Sequence, residues 1–312
     1  MDIVLLFPGQ GSQKPGMASD LAAAYPAARE VLDTVDKALG SPLSALMADG
    51  PEDELTLTHN AQPALLAHGA AAWAVLRDRI RPFVRAAAGH SLGEFTAYHA
   101  AGAIGLGAAA QLVRRRGELM YESGVARPGA MAAVLGEPNR PIEEICSQAS
   151  SEAGEVVPAN YNCPGQLVIS GEVGGVERAM VLVKEAGAKR AVRLNVSGAF
   201  HSPLMAVASE GLGSALDVAN VRDPEFPVYS NVTAEPVVNG ERAKALLLEQ
   251  LTSPVRWTDE IKALATRFPE ALYLEVGPGT VLAGLVKKIA PGLRVLPCGT
   301  PADIDQILQQ VA

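Results

Sequence analysis

Residues able to do covalent chemistry occur together in the stretch Gly89-His90-Ser91-Leu92-Gly93. An apolar run leads into it, and a segment with helical character, residues 94–98, follows. A Gly-x-Ser-x-Gly sequence between a strand and a helix is typical of a nucleophile elbow, in which the serine adopts a strained turn between small neighbours. The hydroxyl then lies at a helix N-terminus, where free N–H groups and the helix dipole favour negative charge. The pattern predicts that Ser91 is a nucleophile.

A serine nucleophile needs a base, and the chain has five histidines. His201 precedes Ser202-Pro203 at a loop-to-helix transition, a setting that often carries catalytic residues. The other four histidines fit other places. His59 lies beside a helix cap, and His68 lies inside a predicted helix. His90 lies on the opposite side of the chain from the serine hydroxyl, and His99 lies two turns along the next helix. We therefore predict His201 as the base for Ser91.

The sequence offers no obvious carboxylate to complete a Ser-His-acid triad. In an α/β-hydrolase the acid lies between the serine and the histidine along the chain. No aspartate occurs between Asp78 and Asp217, and the glutamates in that interval fall mostly on helical patterns. We expect instead that His201 donates its second ring N–H to a backbone carbonyl or an amide side chain, which fixes the tautomer without adding a charge.

Arg116 lies on the apolar side of its predicted helix. At about 100° per residue, Leu112, Leu119 and Met120 share its face. A buried guanidinium without a partner costs several kcal/mol, so Arg116 needs an anion. Two partners stay open at this point. One is a protein glutamate such as Glu94, and the other is a substrate carboxylate held by both guanidinium nitrogens.

The elements around these residues predict an α/β protein. Residues 2–7 form an apolar run typical of a buried strand, and the turn that follows, residues 8–13, lies where ligands bind in open α/β sheets. This turn has neither a complete dinucleotide fingerprint nor a Gly-Lys-Ser/Thr ending, which excludes a nucleotide loop. It can still supply N–H groups to an oxyanion. Further along, a helix is predicted over residues 61–79, with Thr58 or Asn60 as its cap.

The pattern changes between residues 128 and 196, where the order becomes strand-helix-strand-strand-helix-strand. This order is that of a ferredoxin-like unit, with its last strand predicted over residues 189–196. We therefore predict an α/β-hydrolase-like large domain with a mainly parallel sheet, built from residues 1–127 and 197–312. Residues 128–196 are predicted to form an inserted ferredoxin-like (βαββαβ) subdomain.

Composition narrows the class of protein. The net charge of −8 argues against a general nucleic-acid binder. Three widely spaced cysteines without a CxxC pair indicate a reducing compartment, with no disulfide framework and no metal site. Residues 95–113 carry no charge, but they are rich in Ala and Gly and fit two helices better than a membrane span. No signal peptide is visible, so we expect a soluble cytoplasmic protein.

Six motifs in this order resemble those of malonyl-CoA:acyl carrier protein transacylases, the acyltransferases that load bacterial fatty acid synthesis. They are Phe7-Pro8-Gly9-Gln10-Gly11-Ser12-Gln13, Gly89-His90-Ser91-Leu92-Gly93, Arg116-Gly117, Asn162-Cys163-Pro164-Gly165-Gln166, Gly198-Ala199-Phe200-His201 and Glu275-Val276-Gly277-Pro278-Gly279. The resemblance covers essentially the full chain. It implies the same large domain and ferredoxin-like insert that the element order predicts.

The resemblance also implies roles for individual residues. Ser91 would be the nucleophile and His201 the base, while the N–H groups of Gln10 and Leu92 would form the oxyanion hole. Arg116 would bind the malonyl carboxylate. A main-chain carbonyl near Gln250 would support the histidine, which accounts for the missing aspartate. Weaker candidates for lining the pocket are Asn160, Asn162, Phe200 and His90.

The function that follows is transfer of malonyl from malonyl-CoA to the phosphopantetheine thiol of an acyl carrier protein, through a malonyl-serine. The resemblance implies no metal or redox cofactor. Malonyl-CoA and the carrier protein are the expected partners, with no nucleic acid or membrane.

Two other functions are compatible with the serine motif. A serine thioesterase or acyl hydrolase on the same scaffold predicts a triad carboxylate and no need for Arg116. A non-catalytic carrier-protein docking module is disfavoured because Ser91, His201 and Arg116 occur together.

Overall fold

The strands of the protein form two sheets in the computed structural model, which describes residues 1–311. In chain order the strands of this range are β1 (Ile3–Phe7), β2 (Val84–Gly89), β3 (Gly129–Leu135), β4 (Val156–Cys163), β5 (Gln166–Glu172), β6 (Arg190–Arg193), β7 (Val228–Tyr229), β8 (Pro236–Val237), β9 (Leu272–Val276) and β10 (Arg294–Cys298).

Helices cover both sheets. Over the same residues they are α1 (Ser19–Ala24), α2 (Pro26–Leu39), α3 (Leu43–Asp49), α4 (Glu52–Thr56), α5 (Thr58–Ile80), α6 (Leu92–Ala100), α7 (Leu106–Ala126), α8 (Ile142–Ala153), α9 (Val173–Glu185), α10 (Ala206–Val218), α11 (Gly240–Glu249), α12 (Trp257–Arg267), α13 (Val281–Ile289) and α14 (Pro301–Val311). None of the helices described is both long and apolar enough to cross a membrane.

The larger sheet has the strand order β10-β9-β1-β2-β7-β8 and is parallel except for β8. Its central strand β1 is apolar at every position and buried throughout, as expected for a strand covered on both faces. Helices on the two faces bury separate apolar clusters against it. The prediction of an α/β fold with a mainly parallel sheet is confirmed. The carboxyl ends of β1 and β2 lie side by side, with Phe7 paired to Gly89.

The smaller sheet is antiparallel, with the order β4-β5-β3-β6. Because strand side chains alternate between faces, Ala132 and Ile169 pack under α8 and α9, whereas Met131, Ala133 and Val168 face a pocket shared with the larger sheet. This βαββαβ arrangement confirms the predicted ferredoxin-like class. Its elements lie within residues 128–196, and the domain boundaries themselves stay a prediction.

Two local predictions differ from the structure. The last strand of the insert ends at Arg193 rather than at residue 196. The Leu194 N–H still donates to the Met131 carbonyl, and residues 194–196 line the pocket. The long helix begins at Thr58, three residues before the predicted start, and no side chain caps it. The Asn60 side chain instead donates to the Glu54 carbonyl and accepts from Arg114.

Two main-chain hydrogen bonds join the two sheets. The N–H of Val255 donates to the Ala159 carbonyl at 2.8 Å, and the Tyr161 N–H donates to the Val255 carbonyl at 2.9 Å. Both bonds connect the outer edge of β4 to the segment between α11 and α12. The small sheet is therefore attached to the large one by main-chain hydrogen bonds as well as by side-chain packing.

Candidate active site

Ser91 occupies a sharp turn between β2 and α6, with φ 53° and ψ −109°. A side chain at either flanking glycine would collide with backbone. A Cβ on Gly89 would lie 1.9 Å from the Gly93 carbonyl carbon, and a Cβ on Gly93 would lie 2.2 Å from the Phe7 carbonyl oxygen. The two glycines thus permit the close approach that holds the serine at the start of α6.

His201 faces the serine across the pocket. Its Nε2 lies 2.8 Å from Ser91 Oγ, and its Nδ1 lies 3.0 Å from the main-chain carbonyl oxygen of Gln250. Because a carbonyl oxygen only accepts, Nδ1 carries the proton and Nε2 is left to accept one from the hydroxyl. His201 itself has φ 55°, a strained conformation typical of functional sites. The expected backbone partner for this histidine is therefore present in the structure.

Burial and the nearby Arg116 charge lower the pKa of His201 to about 3, against the opposing effect of the Gln250 carbonyl. The ring is consequently neutral at physiological pH, which is the form that accepts a proton. No carboxylate is needed to hold it in this form, since the carbonyl fixes the tautomer.

Arg116 projects from α7 into the same space and is 1% exposed. Its Nη1 donates to Gln62 Oε1 at 2.8 Å, and its Nη2 donates to Ser91 Oγ at 3.0 Å and to Gln250 Oε1 at 2.9 Å. Phe95 packs against the guanidinium. Within residues 1–311 no carboxylate forms an ion pair with it, so the direct Glu94 salt bridge considered from the sequence is not formed.

A network of amides and carboxylates lies beneath the serine, and its central residue, Asn231, was not singled out from the sequence. Asn231 Oδ1 accepts from the Ser91 N–H at 2.7 Å. Its Nδ2 donates to the Gly89 carbonyl at 2.7 Å and to Glu260 Oε1 at 2.9 Å. Asn231 therefore holds the turn from below. It follows β7, at the carboxyl end of a parallel strand, which is a positional signal that could have identified it.

Glu94 and Gln250 extend this network towards Arg116. The Gln250 Nε2 group donates to Glu94 Oε2 at 2.6 Å and lies 3.1 Å from the Ser91 carbonyl. Burial raises the pKa of Glu94 to about 7. Burial and the Glu94 charge raise the pKa of Glu260 well above its usual range, so Glu260 keeps its proton. Burial lowers the pKa of Arg116 to about 10, which leaves it charged.

Two residues that line the pocket have backbone N–H groups without a protein acceptor among residues 1–311. They are Gln10, in the turn after β1, and Leu92, the first residue of α6. The turn after β1 lies close to the elbow, because a Cβ on Gly9 would lie 2.6 Å from the His90 carbonyl oxygen. Both residues line the pocket, and their role as oxyanion donors stays a prediction.

The pocket is a cavity of about 400 Å³ between the two sheets. The structure brings the other predicted site residues to its walls, namely Asn160, Asn162, Phe200 and His90. His90 Nε2 is 2.8 Å from Asn162 Oδ1, which ties the elbow to β4. The lining also includes Met120 and Met131, for which the sequence predicts no place in the pocket.

The remaining histidines have other surroundings. His68 belongs to α5, and its Nε2 lies 2.9 Å from the Gly299 carbonyl oxygen. His99 Nδ1 lies 3.0 Å from the Ile104 carbonyl oxygen. His59 packs edge-on against Tyr121. None of these three lines the cavity that contains Ser91.

Comparisons with known proteins agree with this geometry. Residues 4–291 match the family model described as acyl transferase domain. The malonyl CoA-acyl carrier protein transacylase of Bacillus subtilis is 44% identical over 308 residues, which covers 98% of this chain and 96% of the relative. The corresponding transacylase of Escherichia coli K12 is 41% identical over 305 residues, covering 97% and 98%.

Solved structures give the same result. An acyl-carrier-protein-S-malonyltransferase from Bartonella henselae superimposes with a TM-score of 0.94 at 40% identity, covering 100% of this chain and 99% of that one. A malonyl-transacylase solved in complex with its type II PKS acyl-carrier protein superimposes with a TM-score of 0.93 at 39% identity, covering 99% and 100%. The chain therefore belongs to the acyl transferase family and, within it, to the malonyl-CoA–acyl carrier protein transacylases. The resemblance seen in the sequence motifs is confirmed.

Proposed function

We propose that this protein transfers malonyl groups from malonyl-CoA to the phosphopantetheine thiol of an acyl carrier protein, for fatty acid or polyketide synthesis. One observation carries the proposal. Ser91 Oγ lies 2.8 Å from the His201 ring and 3.0 Å from the Arg116 guanidinium, so a nucleophile, a base and a cation meet at one point. Thioester chemistry on an acid-bearing acyl group needs these three groups together.

The first half-reaction acylates the serine. Ser91 Oγ attacks the thioester carbonyl carbon of malonyl-CoA while its proton passes to His201 Nε2. The oxyanion accepts hydrogen bonds from the Gln10 and Leu92 N–H groups, and loss of one such donor in other enzymes costs about 3–4 kcal/mol. The carbon–sulfur bond then breaks, and His201 returns the proton to the departing CoA sulfur. Malonyl-Ser91 and free CoA are the products.

The second half-reaction runs the same steps in reverse with a different thiol. His201 takes the proton of the phosphopantetheine thiol, and the sulfur attacks the malonyl ester carbonyl. Breaking the ester bond returns the proton to Ser91 Oγ. Because the first product leaves before the second substrate reacts, the kinetics are ping-pong.

Arg116 binds the malonyl carboxylate in this mechanism. The malonyl chain is short, so an acyl group attached to Ser91 keeps its carboxylate within reach of a guanidinium that already contacts the hydroxyl at 3.0 Å. Two parallel N–H donors suit a carboxylate. The held acyl group blocks the approach of water to the ester, which favours transfer over hydrolysis.

The chemistry requires no further group. Serine, histidine and backbone N–H groups supply the nucleophile, the proton transfers and the oxyanion donors, and we propose that no metal or redox cofactor takes part. Cys146, Cys163 and Cys298 are free and buried in the structure. Unpaired thiols are usual in reducing compartments, which supports a cytoplasmic location.

Labelling with radioactive malonyl-CoA tests the proposal. The wild-type protein is expected to acquire one label that is released by carrier-protein thiol, whereas Ser91→Ala acquires none. A serine thioesterase would release free malonate without the carrier protein, and a docking module would not be labelled at all. Either result would contradict the transferase assignment.

The role of Arg116 needs a separate comparison. Arg116→Ala is expected to lose malonyl transfer while gaining relative activity on an uncharged acyl-CoA, because only the malonyl group has a carboxylate to bind. Acylation rates for malonyl-CoA and acetyl-CoA, measured side by side, provide the check. An equal fall in both would show that Arg116 does not act on the carboxylate.

A further inference from the structure

The Arg116 charge is buried, and its nearest balancing charge lies across an amide. Arg116 Nη2 donates to Gln250 Oε1 at 2.9 Å, and Gln250 Nε2 donates to Glu94 Oε2 at 2.6 Å. The amide thus separates guanidinium from carboxylate. Its two polar atoms match the two charges, oxygen towards the cation and N–H towards the anion.

Glu94 is placed to carry that balancing charge. It lies on the first turn of α6, is fully buried, and its Oε2 also accepts from the Asn231 N–H at 3.2 Å. The neighbouring buried carboxyl, Glu260, keeps its proton and adds no charge. The titratable and charged groups that interact with Glu94 come from α6, α7 and α12. They are Tyr98, Arg116 and Glu260.

This arrangement keeps the guanidinium free of a carboxylate partner. A direct Arg116–Glu94 ion pair would occupy the nitrogens that a substrate carboxylate needs, whereas the Gln250 amide oxygen accepts from a single N–H, on Nη2. Once a malonyl carboxylate enters, two anions share one cation. The Glu94 charge then opposes the incoming one and weakens its attachment.

We propose that Glu94 is a positioning residue that acts through the Gln250 amide to limit how strongly Arg116 holds the malonyl carboxylate. This inference rests on the proposed malonyl transfer. Such a limit suits a reaction in two halves, because the group captured from CoA must afterwards leave for the carrier protein. Too strong a hold would stabilise malonyl-Ser91 and slow its discharge.

The test is Glu94→Gln, studied at pH 8, where the wild-type carboxyl is ionised. Gln has the same shape and can still accept from Gln250, so the substitution chiefly removes charge. We expect the KM for malonyl-CoA to fall and the discharge of malonyl-Ser91 to the carrier protein to slow, each on the order of tenfold. This magnitude is that of two unit charges about 10 Å apart at an effective dielectric constant of about 20. Acylation by acetyl-CoA, which has no carboxylate, is expected to stay unchanged.

Glu275→Gln is the matched control. Glu275 is also fully buried, but its carboxylate accepts from the Leu282 and Ala283 N–H groups at the start of α13, outside the cavity lining. It is expected to lower the stability and to leave the malonyl-to-acetyl ratio unchanged. The proposal is overturned if Glu94→Gln raises the KM for malonyl-CoA, or lowers malonyl and acetyl acylation equally.

A second variant keeps the proposal testable if Glu94→Gln folds poorly. The double variant Glu94→Gln/Arg116→Gln removes both charges. If the two charges balance each other, it loses less stability in urea unfolding than the two single variants together. Additive losses would overturn the proposal. If the wild type does not form malonyl-Ser91, the transfer itself is wrong; if it does and Glu94→Gln changes nothing, only the role of Glu94 is wrong.

Discussion

The interiors beneath the two sheets differ in charge. The part of the protein built around the larger sheet buries several titratable side chains, among them Glu94, Arg116, His201, Glu260 and Glu275. The cluster between the smaller sheet and its two helices is built from apolar side chains and Cys146, and none of the buried charged residues within residues 1–311 belongs to it. Its charged residues lie outside, in exposed ion pairs such as Arg193–Glu177 at 3.1 Å.

This difference separates two uses of burial. Apolar side chains stabilise a fold wherever they are packed, whereas buried charges cost desolvation energy and rarely add net stability. Charges retained in an interior therefore point to chemistry. By this criterion the larger sheet carries the reactive groups, and the smaller sheet provides a wall of the pocket. Four experiments test the distinction, and they are given from the largest expected effect to the smallest.

Replacing the base should have the largest effect. His201→Gln removes the group that accepts the Ser91 proton, and loss of a general base slows reactions by about 10²–10⁴-fold. We expect kcat/KM for malonyl-CoA to fall about a thousandfold with an unchanged circular dichroism spectrum. A variant with more than a tenth of the wild-type activity would exclude His201 as the base.

A core substitution in the smaller sheet should affect stability alone. Ile169 on β5 is fully buried among apolar side chains on the face away from the pocket. Ile169→Ala is expected to lower the free energy of unfolding by about 2–5 kcal/mol, since it removes buried methyl groups and leaves a cavity. Urea unfolding measures the loss, and kinetic constants at 25 °C should stay at wild-type values. A large fall in kcat in the folded variant would mean that this core also supports the chemistry.

The protonation of His201 should respond to its charged neighbour. The pKa of about 3 means that the ring stays neutral until strongly acidic pH, so the folded state binds fewer protons than the unfolded state and loses stability as pH falls below about 6.5. Arg116→Gln removes a positive charge and should raise this pKa. Titration of the imidazole protons by NMR, assigned with His201→Gln, checks the direction. A lower pKa in the variant would contradict the assigned cause.

Loss of a surface ion pair in the insert should have the smallest effect. Arg193 and Glu177 are 50% and 59% exposed, and pairs of this kind contribute about 0–1 kcal/mol. Arg193→Ala is therefore expected to change the free energy of unfolding by less than about 1 kcal/mol. The activity should stay close to the wild-type value. A change above about 2 kcal/mol in urea unfolding would mean that this exposed ion pair contributes substantially to the stability of the small sheet.

Local patterns were sufficient to predict the fold class and the position of the elbow. The glycines around Ser91 and the apolar run of β1 each specify their own backbone geometry, so no distant contact is needed to recognise them. Helix α2, Pro26–Leu39, has a proline at its first position and is followed by Gly40 with φ 64°, so its two ends are marked by local residues. The strand of residues 189–196 was predicted too long, because the apolar residues Leu194 and Val196 continue the strand pattern but line the pocket instead.

Most of the amide network could not be predicted from the sequence. Asn231, Gln62 and Gln250 are far apart along the chain, and an amide side chain carries no periodic signal that marks it as buried. The helical stripe did identify Arg116 as a buried cation, but it left a glutamate or a substrate as the partner. The structure has a third arrangement, in which Gln250 lies between Arg116 and Glu94.

The hydrogen bonds of Val255 with Ala159 and Tyr161 have a consequence for protein engineering. A chimera that exchanges residues 128–196 between relatives must offer its new β4 edge in the same register to the segment that follows Gln250. A one-residue slip there would turn Asn160 and Asn162 out of the pocket and would break the contact between Asn162 and His90, next to the nucleophile. The pairing of this edge is therefore a condition that a hybrid must meet before its choice of acyl group can be compared with that of its parents.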